Sequence, residues 1–145
     1  MNKIIPFLWF DGKAEEAAKY YVAIFKNSKI MFANPMTVSF QLEGQPFYAL
    51  NGGPQYKFTP AISLFVNCET QAEVDDLWNK LSAGGRIEQC GWLQDKYGLS
   101  WQIIPTALGR MLQDKDPTKA KRVMDAMLQM KKIDIAGLQR AYDGR

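Results

Sequence analysis

A chain of 145 residues with 47% hydrophobic residues can bury about two thirds of its unfolded surface, which excludes a disordered segment and makes a stabilising metal or disulfide unnecessary. Its net charge of +3 is concentrated at the end, because residues 106–145 hold 9 Lys or Arg against 5 Asp or Glu whereas residues 1–105 hold 9 against 10. No nucleic-acid signature accompanies that basic tail, no apolar run approaches the roughly 18 residues of a membrane span, and "MNKIIPFLWF" reads as a strand rather than a leader. The reading is therefore a cytoplasmic protein with neither nucleic acid nor membrane as partner.

The elements alternate between two periodicities. "IIPFLWF" is a short apolar run, an Asp-Gly link follows, and Ala14, Ala17, Ala18, Tyr21, Ile24 and Phe25 recur at helical spacing. A strand around "KIMFAN" leads to "TVSFQL", in which Val38, Phe40 and Leu42 alternate with polar residues, and "EGQP" turns the chain into "FYALN". The same order then repeats. "TPAISLFVN" reads as a strand, and "CETQAEVDDLWNKLSAGG" as a helix with Val74, Leu77, Trp78 and Leu81 inward. Strands through "RIEQCGWLQ" and "LSWQIIP" complete the second copy. An offset of 58 aligns Ala14, Glu15 and Tyr20 with Ala72, Glu73 and Trp78, so the repeat rests on order more than identity.

From Pro105 onward the pattern is helical. Asp116 precedes Pro117 as a cap, and Val123, Ala126, Met127 and Met130 form an apolar stripe with Met124 and Leu128 as a second edge. Asp134 is placed to cap a last helix, with Ile133 and Leu138 as its hydrophobic staple. Two apolar edges on one helix predict two covering surfaces, the chain's own sheet and a second subunit, hence a homodimer.

Within "DKYGLSWQIIP" extended alternation puts Leu99, Trp101 and Ile103 on one face and Ser100, Gln102 and Ile104 on the other. An unpaired buried amide costs roughly 1 to 3 kcal/mol, so Gln102 needs a partner or a cavity. Cys68 and Cys90 form no CxxC pattern and read as small hydrophobes.

The paired order and the spacing of Asp95, Gly98, Trp101 and Gln102, close to a D-x-x-G-x-x-W-E ending, resemble the vicinal oxygen chelate superfamily, that is, the glyoxalase and bleomycin-resistance fold. "PFLWFDGKAEEAAKYY", "ALNGGP", "FTPAISLFVNCET", "QCGWLQDKYGLSWQIIP" and "MLQMKKIDIAGLQRAY" are similar to its PhnB-like branch, labelled 3-demethylubiquinone-9 3-methyltransferase-like. The resemblance implies an α+β domain over residues 1–145. Residues 1–54 and 55–105 would be two βαβββ repeats forming curved mixed sheets, or half-barrels, around a cavity, and residues 106–145 a helical extension. Between "SKI" and "TVSFQL" this chain has only "MFANPM", where members of the branch it resembles often carry a longer glycine-containing loop that helps wall the pocket.

In metal-dependent members of that superfamily the cavity holds a divalent cation on His and Glu ligands, the last being the Glu of W-E. Here that residue is Gln102, the chain has no histidine, and the other equivalent positions fall among Ile5 to Trp9, Leu50 to Asn51 and Ala61 to Ser63. Amides and hydroxyls do not offset the desolvation of a transition-metal dication, so no metal site is expected. The faces that the resemblance turns inward carry Phe7, Trp9, Asn51, Ser63, Phe65, Ser100 and Gln102, with Trp92 nearby, which suits a small, partly apolar organic ligand.

The family label implies methyl transfer, but neither Gly52-Gly53 nor Gly84-Gly85 lies between a strand and a helix, where a cofactor loop belongs, and no cofactor is expected. Without histidine no Ser-His-Asp or Cys-His arrangement is possible. Three readings follow. The first is a metal-independent small-molecule binding protein, the second a metal-free enzyme including methyl transfer, and the third a filled barrel whose dimer surface is the functional part.

Overall fold

The large alternating side chains of "PFLWF" form a short strand, β1 (Phe7–Phe10), at the start of a computed structural model that describes residues 2–145. Helix α1 (Ala14–Ile24) and strands β2 (Lys29–Ala33), β3 (Thr37–Leu42) and β4 (Gln45–Asn51) follow. They form a mixed sheet of order β1-β4-β3-β2, in which only the β1–β4 pair is parallel. Small Ala14, Ala17 and Ala18 let α1 approach the sheet closely, and Tyr21 slots in against Phe40, which stacks on Phe47 at 5.4 Å. Lys13 offers α1 no side-chain cap. The Ala14 N–H donates instead to Asn51 Oδ1 at 2.8 Å, tying the helix start to the end of β4.

The same order returns in β5 (Ser63–Cys68), α2 (Gln71–Ser82), β6 (Arg86–Ile87), β7 (Trp92–Gln94) and β8 (Ser100–Pro105). Their sheet runs β5-β8-β7-β6, again with the first pair parallel, so the two βαβββ repeats share one topology. Residues up to Phe58 make one compact unit and those from Thr59 to Arg145 another. Thr70 caps α2 by accepting from the Glu73 N–H at 3.1 Å, while Glu73 reaches back to the Glu69 N–H at 2.8 Å. Val74, Leu77, Trp78 and Leu81 are all buried, matching the spacing that predicts them.

"RIEQCGWLQ" departs from its reading as one strand. It breaks into β6 and β7 because Cys90 and Gly91 both adopt left-handed backbone, φ 59° and 85°, and their N–H groups donate to the Met130 and Lys131 carbonyls instead of a neighbouring strand. A side chain at position 91 would meet Ile104 Cδ1 at 2.7 Å, so glycine is required by space as well as by φ.

Those carbonyls belong to the helical extension, α3 (Thr106–Leu112), α4 (Pro117–Leu128) and α5 (Ile135–Asp143). Its core joins Leu108, Val123, Ile133 and Leu138 to Ile104 at the end of β8. Asp116 caps α4 as its position predicts, accepting from the Thr118 N–H at 2.9 Å. Asp134 stands at the start of α5 but makes no cap bond. Gln71 does that work from α2, accepting from the Ile135 N–H at 2.7 Å and donating to the Ile133 carbonyl at 3.0 Å. Ile133 and Leu138 are both fully buried, as a staple requires.

The motif Asp95-x-x-Gly98-x-x-Trp101 is structural. Asp95, only 2% exposed, accepts from the Tyr97 and Leu99 N–H groups through Oδ1, at 2.8 and 3.1 Å, and from Trp101 Nε1 through Oδ2 at 2.9 Å. Gly98 closes the turn at φ 87°. Asp95→Ala strands three donors around a vacated carboxylate site and is expected to lower unfolding free energy by about 2–4 kcal/mol in urea denaturation. A loss below about 1 kcal/mol would mean that the clamp is not what holds the turn.

Candidate functional site

Side chains of β8 alternate strictly, and the buried Trp101 and Ile103 face α2. Ser100 and Gln102 therefore belong to the opposite, open face of the second sheet. Register aligns Gln102 with Phe65 on β5 and with Trp92 on β7, and the next rank aligns Ser100 with Ser63 and Gln94. Five of the candidate residues, Ser63, Phe65, Trp92, Ser100 and Gln102, thus lie together on three adjacent strands.

Gln102 Nε2 donates to Ser63 Oγ at 3.0 Å, so the amide has a partner and its carbonyl oxygen remains unused. Ser100 is fully buried and its hydroxyl has no hydrogen-bond partner among the described residues. On either side of this polar line stand the rings of Trp92, half-buried, and Phe65, 54% exposed. The face combines aromatic area with two hydroxyls and an amide, and none of its five residues ionises.

The first sheet carries a different surface. Phe7 and Trp9 share its open face with Tyr48 and Leu50, their register partners on β4. Phe7 and Tyr48 meet edge-on at 5.6 Å. Trp9 is fixed by the Gly52-Gly53 loop, donating from Nε1 to the Gly53 carbonyl at 2.9 Å, and any side chain at position 52 would collide with its ring. Tyr56, in the segment after that loop, packs edge-on against Trp9 at 4.9 Å. Tyr48 and Tyr56 escape the sequence reading. The alternation of "FYALN" carries the signal for Tyr48, whereas nothing in the pattern marks Tyr56. Asn51 is turned to the helix side, its amide held by the Ala14 N–H and the Pro35 carbonyl.

Gln102, Ser63 and Ser100 present neutral oxygen and nitrogen atoms, a set that does not fit a transition-metal dication, which requires imidazole, thiolate or carboxylate. Among the described residues no three His, Cys, Asp or Glu side chains converge elsewhere. Cys68 is no alternative nucleophile, because burial, with smaller contributions from Glu73 and Glu69, pushes its thiol up to about 12.

The sequence model of the family described as 3-demethylubiquinone-9 3-methyltransferase matches residues 2–104. Among solved structures the PhnB protein of Bacillus cereus is 37% identical with a TM-score of 0.67, the match covering 72% of this chain and 99% of that one. A Pseudomonas aeruginosa protein is 20% identical, TM-score 0.60, covering 72% and 98%. A glyoxylase/bleomycin resistance protein/dioxygenase domain from Frankia is 14% identical, TM-score 0.52, covering 72% and 92%, a likeness of fold. No curated protein matches the chain.

A buried hydroxyl without a partner is a stability defect. Ser100→Ala is therefore expected to leave the unfolding free energy unchanged or raise it by up to about 1 kcal/mol, measured by urea denaturation. A loss above about 1 kcal/mol would reveal a bond at Ser100 that the geometry lacks.

Proposed function

Because this chain belongs to the 3-demethylubiquinone-9 3-methyltransferase family, on the glyoxalase/bleomycin-resistance fold, we propose that it binds a small, uncharged, partly aromatic molecule without a metal. The observation that carries this reading is Gln102, set between Phe65 and Trp92 with Ser63 and Ser100 in the adjoining rank. The rings supply burial for an apolar body. Ser63, already accepting from Gln102, has its own proton to give, and Gln102 has an acceptor oxygen. A ligand bearing carbonyl or hydroxyl groups matches that set, whereas a charged ligand finds no counter-charge among these five side chains.

Binding is favoured over the methyl transfer that the family description implies. Gly52-Gly53 follows β4 and serves Trp9, and Gly84-Gly85 follows α2, so neither pair presents N–H groups at a strand-to-helix turn for S-adenosylmethionine. Uncharged phenols and quinones in a thermal-shift assay, with S-adenosylmethionine and manganese or nickel as separate arms, test the reading. A ligand at 100 times its dissociation constant adds about 2.7 kcal/mol, well above detection. The expected result is stabilisation by an uncharged aromatic, weakened about tenfold in folded Gln102→Ala and Phe65→Ala variants. Stabilisation by S-adenosylmethionine or metal instead, silence across the phenols and quinones, or a shift that survives both substitutions overturns it.

The same chain is proposed to work as a homodimer. Met124 and Leu128, 39% and 51% exposed, sit one turn apart on α4 and form the apolar edge that the chain's own core leaves uncovered. Light scattering after size exclusion at micromolar concentration is expected to give twice the monomer mass, falling toward one on Leu128→Glu. A monomer at that concentration refutes the dimer, and a dimer indifferent to Leu128→Glu refutes this edge as its seam.

A further inference from the structure

The helical extension carries a groove of about 440 Å³ whose lining, Glu69 apart, lies beyond the family match that ends at residue 104. Ala107 and Met111 of α3 and Ile135 of α5, all half-buried, form the apolar part of its lining, and Met111 is packed on the extension's own core. Its volume lies within the roughly 300–1,000 Å³ of small-molecule sites.

The charges around this groove are unusual in being unpaired with one another. Arg110 spends one nitrogen on a long 3.4 Å bond to the Thr106 hydroxyl and, among the described residues, has no carboxylate partner. Glu69, on the same groove, accepts only from that hydroxyl, at 3.5 Å, and likewise has no cation partner. Asp114 is held in place. Tyr142 donates its hydroxyl to Oδ2 at 2.6 Å and the Asp116 N–H donates to Oδ1 at 2.9 Å, and these bonds, the tyrosine first, hold its carboxyl below the usual range. Lys119 stands over the Tyr142 ring at 4.9 Å and is the cation associated with this carboxylate. Gln139 adds an amide to the rim.

A planar guanidinium is suited to bidentate capture of a carboxylate, and two carboxylates are suited to an ammonium group. We infer that the α3–α5 groove is a binding site for a free amino acid with an apolar side chain, its carboxylate on Arg110, its ammonium toward Asp114 and Glu69, and its side chain on Met111 and Ile135. The charge requirement excludes simple carboxylates and simple amines of the same shape, each of which leaves one rim charge unmatched and faces the other at close range. This site is independent of the open face of the second sheet.

The test is a ¹H–¹⁵N titration of the whole chain with L-leucine, alongside 4-methylpentanoate, which lacks the ammonium, and 3-methylbutylamine, which lacks the carboxylate. Leucine is expected to give saturable shifts confined to residues of the groove, at millimolar concentration or below, with both analogues at least about tenfold weaker. Arg110→Gln and Asp114→Asn should each weaken leucine by about tenfold, and Asp114→Asn keeps an acceptor for Tyr142 so that the fold persists. No saturable shift with leucine, equal binding of either analogue, or shifts unaffected by both substitutions would overturn the assignment.

Discussion

The burial of one carboxylate decides what the open face of the second sheet displays. Asp95 accepts from two backbone N–H groups of its own turn and from the Trp101 indole, which fixes Trp101 on the helix side at the second residue of β8. Because strand side chains alternate, that choice places Ser100 and Gln102 on the other side, and a slip of one residue would exchange the two sets. The tryptophan of this motif is therefore a register pin. The residue after it is presented by the pin and is free to set the chemistry.

Much of this logic is legible in the sequence. Asp95, Gly98 and Trp101 announce the turn by their spacing, apolar alternation announces β3 and β8, and the repetition of element order announces two sheets of one topology. What escapes it depends on contacts between distant segments. The break between β6 and β7 exists because Met130 and Lys131, some forty residues away, take the N–H groups that a strand would have used, and no local pattern encodes that exchange. Gln71 replaces Asp134 as the cap of α5 for the same reason, across 64 residues. Asn51 shows the converse. Its amide suits a ligand site by type, yet the uncapped start of α1 claims it, because Lys13 has no side-chain acceptor to offer.

An amide at position 102, where the W-E ending that the chain resembles has a carboxylate, changes the charge of this face at almost constant shape. A carboxylate there would bring a charge that needs a cation or a costly desolvation, and the neighbouring serines cannot supply the first. Gln102 removes the charge and gains a neutral bond to Ser63. The stability consequence is concentrated at Ser100, whose hydroxyl is buried with nothing to bind. Such a group is a defect in the folded chain alone and becomes an asset only where something else satisfies it.

The open faces of the two sheets differ in chemistry. On the first, the ranks Phe7–Tyr48 and Trp9–Leu50 are apolar or aromatic, and the one indole N–H among them is already spent on the Gly53 carbonyl. On the second, Ser63–Ser100 and Phe65–Gln102 mix rings with unsatisfied polar atoms. Apolar contact is non-directional and tolerates many shapes, whereas a hydroxyl or amide must be met along its own axis. The first face is therefore defined by apolar area and the second by the directions of the Ser63 and Gln102 polar groups, while Ser100 is fully buried.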